Sequence, residues 1–285
     1  MSTAQPQALD NDRTYRSGAA DRAGSFESGL DDLLGGMKSW RLCHLMGLGE
    51  IRRRYSRSKL GQFWLTLSTL IMVVTLGVVW STLWHQPVDK LMPYIAASMI
   101  LWTFISGLIT EATTALVSAG PMYLNQGMSF STAIYALTYK HLMIFLHNAP
   151  IIGLVFLFFL YPVNANALLA IPGLALVLIA LTWIGYVVAI MCLRFRDVSQ
   201  VVQSLITISF FITPVLWKAD QIPAQKQWFI LFNPFATLLS VVRDPLLGHA
   251  PPLSVWLMAT LIAFGGLLVT IPIVGRYRKL IIYWM

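Results

Sequence analysis

The sequence predicts an all-α, polytopic membrane protein of six transmembrane helices with both termini in the cytoplasm, and three observations carry that reading. The chain is 57% apolar and only 11% charged, with a mean hydropathy of +0.68, a composition outside the range of soluble domains. Long uncharged stretches recur. The first, Leu60 to Trp84, runs for about 25 residues, enough to cross a hydrocarbon core at roughly 1.5 Å per helical residue. At its entrance, over residues 52–64, the sequence RRRYSRSKLGQFW passes from a basic cluster into apolar sequence without a spacer. Arg52, Arg53, Arg54, Arg57 and Lys59 therefore mark one side of the first span, and the excess of basic residues assigns that side to the cytoplasm.

A net charge of +8 on so apolar a chain is a topological signal and not the footprint of a nucleic-acid binder. The two cysteines, Cys43 and Cys192, are too few for a disulfide framework.

In chain order, residues 1–36 are rich in Ser, Gly, Asp, Gln and Ala and read as a disordered cytoplasmic tail. Residues 37–58 mix Trp40, Leu42, Leu45, Met46, Leu48 and Ile51 with Lys38, Arg41 and the arginine run. They read as a helix lying in the membrane interface, with Glu50 spaced to pair with Arg54. Spans are expected at about 61–84, 93–116, 141–161, 167–193, 198–217 and 253–274. The first two are joined by a short outer loop at Asp89 and Lys90. The stretch Val117 to Tyr139 is uncharged yet rich in Ser, Gly, Asn and Gln and broken by Gly120-Pro121, so no third span starts there. Arg194, Arg196 and Asp197 mark a tight inner loop. From Trp228 to Val242 about 15 uncharged residues are interrupted by Asn233-Pro234, too few to cross and return. They read as two short helices dipping into the outer leaflet, where other parts of the protein must satisfy the broken backbone. On this layout sixteen of the twenty basic residues lie inside, and only Lys90, Lys218, Lys226 and Arg243 lie outside.

The motifs of catalysis are missing. Gly35-Gly36-Met37-Lys38-Ser39 has a methionine where a phosphate loop needs the glycine before its lysine. No HExxH and no paired Cys/His spacing offers a metal site. Glu111 is the one carboxylate inside a span, and its position near the inner interface favours a hydrogen-bonded structural role. His147, Asn148 and Pro150 form a polar, kinked patch suited to a hydrogen bond between helices. Trp64, Trp80 and Trp84, with Trp217, Trp228 and Trp256, form an interfacial belt; some could instead stack on sugars.

The junction at residues 52–64 resembles the entry to the first span of the ABC type 2 permeases that export bacterial polysaccharides: an arginine and tyrosine cluster followed by S-x-L-G-x-x-W. The sequence RFRDVSQVVQSLITISFFITPVLW, the Asn233-Pro234-Phe235 triplet with VVRDPLLG over residues 241–248, and the terminal RYRKLIIYW are each similar to the family's pattern, in the same order. The resemblance covers residues 37–285 as one transmembrane domain and is closest to the permeases for O-antigen and teichoic acid.

The resemblance implies a homodimer of six-span subunits working with two copies of a separate cytoplasmic ATPase, which would bind the ATP and Mg; this chain itself would bind no cofactor. It implies export of a lipid-linked glycan across the bacterial inner membrane, through a channel between paired first and fifth spans, with capsular polysaccharide or teichoic acid as alternative cargoes. A coupling helix in the first inner loop falls on Met122, Tyr123, Leu124, Asn125 and Met128, a stretch too apolar and uncharged for a solvated loop. The outer gate falls on Trp228, Asn233, Pro234 and Phe235. Channel and interface candidates are Arg54, Tyr55, Trp64, Glu111, Arg196 and Asp197. A membrane-embedded acyl- or glycosyltransferase would need intramembrane His or Asp at catalytic spacing, and only Glu111 and His147 are available. A secondary transporter would need internal repeats, and none is evident.

The topology has a direct test. A membrane-impermeant thiol reagent applied to intact cells should label Asp220→Cys and leave Asp197→Cys unlabelled; equal labelling would overturn the six-span layout.

Overall fold

The structure, a computed structural model, describes residues 25–55, 61, 63–126, 128–223, 230 and 232–284, with the backbone alone at 54, 55, 121–126 and 220. Among the described residues all regular structure is helical. Helix α1 covers residues 25–38, α2 Trp40–Tyr55, α3 Phe63–Leu83, α4 Val88–Gln126, α5 Ser131–Phe158, α6 Ala170–Arg194, α7 Val198–Ile212 and α8 Pro234–Leu246. Helix α9, Leu253–Trp284, contains one π-helical turn at Leu261–Gly265. Among the described residues five helices are long and apolar enough to cross a membrane: α3, α4, α5, α6 with its preceding 3-10 turn, and α9.

Helix α4 is the axis of the bundle. In its most apolar stretch 83% of the residues are buried, against 11% in α3. A helix that is apolar all round belongs at a centre, and Leu91, Ile95, Ile100, Leu101, Ile105 and Leu108 are enclosed on every side. Helices α5, α6, α3, α7 and α8 pack around it. Its 39 residues span about 58 Å, well beyond a hydrocarbon core of ~30 Å, so its last turns overrun the apolar layer. A second, smaller core gathers Leu33, Leu116, Phe130, Ile134, Tyr186, Leu193, Val274 and Ile281 from α1, α4, α5, α6 and α9.

Several expectations from the sequence need correction. Residues 25–36 of the expected tail are helical, because Asp32 is drawn into the protein: its carboxylate accepts the backbone N–H groups of Phe130 and Ser131 at 3.0 Å. The expected interfacial helix over 37–58 is divided at Ser39, whose hydroxyl donates to the Gly35 carbonyl. The second span begins at Val88, so that Asp89 and Lys90, expected in an outer loop, lie in its first turn, and it runs on to Gln126; the third begins at Ser131, ten residues early. Gly120-Pro121 does not end α4, since proline removes one intrahelical bond and the buried turns before it hold the axis. The fifth span stops at Ile212: Thr213 is extended, as the residue before a proline tends to be. The break expected at Asn233-Pro234 is where α8, the second of the two expected short helices, begins. The Asn233 side chain accepts from the N–H groups of Phe235 and Ala236, and proline suits the first turn; the first of the two proposed short helices falls largely outside the described residues. The terminal RYRKLIIYW continues α9 as helix through Trp284.

Close contact between α1 and α9 depends on two glycines. A Cβ at Gly29 would lie 2.0 Å from the Ile271 carbonyl oxygen, and one at Gly275 would lie 1.5 Å from that of Ser25. Small residues at such crossings let backbones approach, the usual source of packing energy between helices in lipid. Gly29→Leu should therefore part α1 from α9, seen as a melting temperature several degrees lower and as faster hydrogen exchange over residues 25–38. Unchanged exchange there would contradict the contact.

Candidate functional site

At the end of the bundle that carries the arginine cluster, three helices meet through charge. Lys140 of α5 is 6% exposed along its side chain and places Nζ 2.6 Å from Glu50 Oε2 of α2 and 2.5 Å from Glu111 Oε1 of α4. The other Glu111 oxygen lies 2.7 Å from His141 Nε2; an ionised carboxylate only accepts, so the imidazole N–H donates. Removing an ammonium from water is costly unless it is paired and hydrogen-bonded, and two half-exposed carboxylates supply both needs. Glu50 thus pairs across helices, while the side chain of Arg54, its expected partner, lies outside the described residues; Lys140 is a buried fastening, not a loop charge. Glu111 has the hydrogen-bonded environment expected of it. Among the described residues no cluster of His, Cys, Asp and Glu could hold a metal ion.

At the opposite end the chain leaves helical geometry between Ile212 and Lys218, and the loosened backbone is held by side chains. Arg243 of α8, expected in an outer loop, is buried; its Nη1 donates to the Pro214 carbonyl at 2.7 Å and to the Tyr94 hydroxyl at 2.8 Å. Tyr94 in turn reaches the carbonyls of Pro214 and Trp217, both at 2.8 Å. Asp244 pairs with the guanidinium at 2.8 Å, and Asn233 Nδ2 donates to Thr213 Oγ1 at 2.9 Å. Non-helical backbone at membrane depth is tolerated only where protein satisfies it, and Arg243 and Tyr94 do this for α7.

Two helices present unusual faces to the outside. Helix α7 buries none of its residues and exposes Gln200, Gln203, Ser204 and Thr207, which the 3.6-residue period places on one side. Helix α3 exposes Trp64, Ser68, Thr75 and Thr82, spaced 4, 7 and 7 apart along another. Both helices lie against α4. Glutamine amides are poor neighbours for acyl chains, so these stripes suit a water-filled path or a second protein surface.

The residues singled out in the sequence fall in separate places. Met122, Tyr123, Leu124 and Asn125 lie on the last turns of α4, and Met128 follows, half-buried against the smaller core. Trp228 is outside the described residues. Asn233 caps α8, Pro234 opens it, and Phe235 meets the Trp102 ring at 5.9 Å. Arg54 and Tyr55 end α2, Trp64 is exposed at the start of α3, and Arg196 and Asp197 are exposed in the turn between α6 and α7. The His147 patch borders a cavity of about 340 Å³ lined by Leu48, Ile51, Leu65, Met143, Ile144 and Leu146. His147 Nε2 and Asn148 Oδ1 make no hydrogen bond, so the interhelical bond expected there is not made by these atoms. Sequence reasoning missed Lys140, His141, Arg243 and Asp32; for the first three the signal was present as charged or titratable residues inside otherwise apolar helical runs, while Asp32 sits in a polar stretch that gave none.

These features define a multi-pass helical membrane protein with charge-fastened ends and polar outward faces on two of its helices, the class of transporter membrane subunits. The chain belongs to the ABC-2 type transporter family, whose model matches residues 41–247; this family normally works with an ATPase partner. It is similar to two O-antigen export system permease proteins RfbA of Klebsiella pneumoniae. One is 20% identical over 234 residues, 81% of this chain and 88% of the relative; the other is 21% identical over 197 residues, 68% and 76%.

The inner network has unequal members. Glu111→Gln keeps the shape and leaves Lys140 its Glu50 partner, so transport should stay close to the wild-type rate. Lys140→Met leaves two facing carboxylates without their cation, a loss of about 1–3 kcal/mol, and should lower the melting temperature in detergent by several degrees. A larger loss of stability from Glu111→Gln than from Lys140→Met would reverse this ranking.

Proposed function

We propose that this chain is the permease subunit of an ATP-driven exporter that moves lipid-linked O-antigen polysaccharide across the bacterial inner membrane, through a channel between two copies of itself. The observation that carries the proposal is the pair of outward polar stripes on α3 and α7. In a lone subunit they would face lipid. In a homodimer they face each other across a conduit, where exposed amides and hydroxyls can exchange hydrogen bonds with sugar hydroxyls and water. Family membership and the two O-antigen export relatives favour the same cargo. Capsular polysaccharide and teichoic acid are the alternative cargoes.

On this reading α7 and the segment Thr213 to Trp217 together make the fifth crossing and bring the total to six, since 15 helical residues reach only about 22 Å. Both termini are cytoplasmic. Arg54, Tyr55 and Trp64, with Arg196 and Asp197, stand at the inner ends of the two channel helices, while α8 and its cap at Asn233, Pro234 and Phe235, with Trp228 before them, form the outer gate. The last turns of α4 with Met128 meet the partner ATPase, which binds ATP and Mg, and this chain binds no cofactor. A polymer longer than the bilayer is thick cannot be occluded and released in one cycle, so successive ATP-driven strokes advance it through a gated path.

Reconstitution into proteoliposomes with the ATPase and a defined lipid-linked glycan should give ATP-dependent transfer of that glycan; transfer of teichoic acid or capsular polymer in preference to O-antigen would overturn the cargo, and no transfer of any of the three would overturn the function. In the same system Met122→Asp with Tyr123→Asp should abolish copurification of the ATPase, because charge would be buried in the contact. ATPase retained at wild-type stoichiometry would place docking elsewhere.

A further inference from the structure

We propose that α1 is a clamp in the drive train of this exporter, and that Asp32 is the positioning residue through which displacement of the ATPase-docking segment reaches α6 and α9. The inference rests on the docking reading above and adds to it the route by which the motion leaves the docking segment.

The geometry starts from a helix without its own cap. The residue before α5, Phe130, offers no side-chain acceptor to the helix; the Thr132 and Ala133 N–H groups turn back to the Ser129 and Phe130 carbonyls, which leaves those of Phe130 and Ser131 to be met from elsewhere in the chain. Asp32 supplies the missing acceptors from 98 residues away: Oδ1 takes the Phe130 N–H and Oδ2 the Ser131 N–H, each at 3.0 Å. A carboxylate at a helix N-terminus also complements the helix dipole. Oδ2 further accepts the Tyr186 hydroxyl of α6 at 2.7 Å, and Arg278 of α9 places Nε 3.7 Å from Oδ1. The backbone adds to the join, as Ser131 Oγ donates to the Asp32 carbonyl at 2.5 Å and Tyr135 to the Leu33 carbonyl at 3.2 Å.

One carboxylate, fully enclosed, thus joins four helices at the level where the docking segment ends. Its negative charge cannot move away from these donors without being stranded in a dry site, a large penalty. When the docking segment shifts the start of α5, α1 moves with it, and α6 and α9 are drawn along through Tyr186, Arg278 and the Gly29 to Gly275 crossing. Helix α6 leads through a short turn into α7, whose polar stripe lines the proposed conduit.

The test compares Asp32→Asn, Tyr186→Phe and wild type, each as full-length permease reconstituted with its ATPase and lipid-linked glycan. Asparagine keeps the shape but turns one acceptor into a donor facing donors. Tyr186→Phe removes only the link to α6 and leaves the α5 cap intact, so it remains decisive if Asp32→Asn does not assemble. Both variants should retain the ATPase and hydrolyse ATP, yet glycan exported per ATP should fall, by about tenfold for Asp32→Asn and severalfold for Tyr186→Phe. Asp32→Glu, which keeps the charge, should recover part of the loss.

Wild-type export per ATP in both variants, even at a lowered melting temperature, would make Asp32 a stabilising residue only and overturn the clamp. Loss of the ATPase from Asp32→Asn with unaltered export per ATP in Tyr186→Phe would overturn it too. The docking reading fails separately, through retention of the ATPase by the Met122 and Tyr123 double variant, and the clamp is judged only in complexes that hold their ATPase.

Discussion

Inside a bilayer no water reaches a stray charge or an unpaired backbone group, so every departure from plain apolar helix must be satisfied by the chain itself. The architecture follows from this constraint. Where α7 gives way at Thr213, Arg243 and Tyr94 take up the freed carbonyls of Pro214 and Trp217. Where Lys140 enters the bundle, Glu50 and Glu111 close on it. Where α5 starts without a cap, Asp32 is brought in from a helix that precedes the first span. Breaking one partner of a fully buried set typically costs about 3–5 kcal/mol, and less at Lys140, whose carboxylates are half-exposed; either is a large part of a protein's net stability, so each node holds its helices in one arrangement.

The nodes divide the molecule into parts that must move together and parts that need not. Helix α4 contributes to two of them, with Tyr94 near one end and Glu111 toward the other, and 83% of its most apolar stretch is buried. It is the fixed axis. Helices α3 and α7 take little part: α3 buries only Val73, Gly77 and Ser81, and α7 none of its residues. Surfaces so loosely held are free of the constraints that fix α4, and under the proposed function they meet a partner copy and line the path for sugar.

Much was legible in the sequence because some features are local. A run of apolar residues uninterrupted by charge reports its own helix, since the hydrocarbon core admits little else; the spans beginning near Phe63 and Leu253 were visible this way. The capping role of Asn233 was less so, because Asn-Pro reads equally as a break between helices and as the cap and first residue of one. The same ambiguity hid the length of α4. Gly120-Pro121 looks like an ending, and whether it ends a helix depends on what packs against the turns before it. The helix at residues 25–38 was hidden because polar composition suggests a tail when the partner of Asp32 is not known.

What the sequence by itself determined was the class: a helical, multi-pass membrane protein of the ABC-2 type, with the arginine cluster at the mouth of its first span. Composition and short-range pattern suffice for that, because transfer into lipid is decided residue by residue over about 20 neighbours. Only the tertiary structure decided which charges matter. Glu50 and Lys140 lie 90 residues apart, Asp32 and Phe130 98, and Tyr94 and Arg243 149. No local pattern joins such pairs; they meet because the helices between them fold back through the bilayer and leave each charge only the partners that the packing brings within reach.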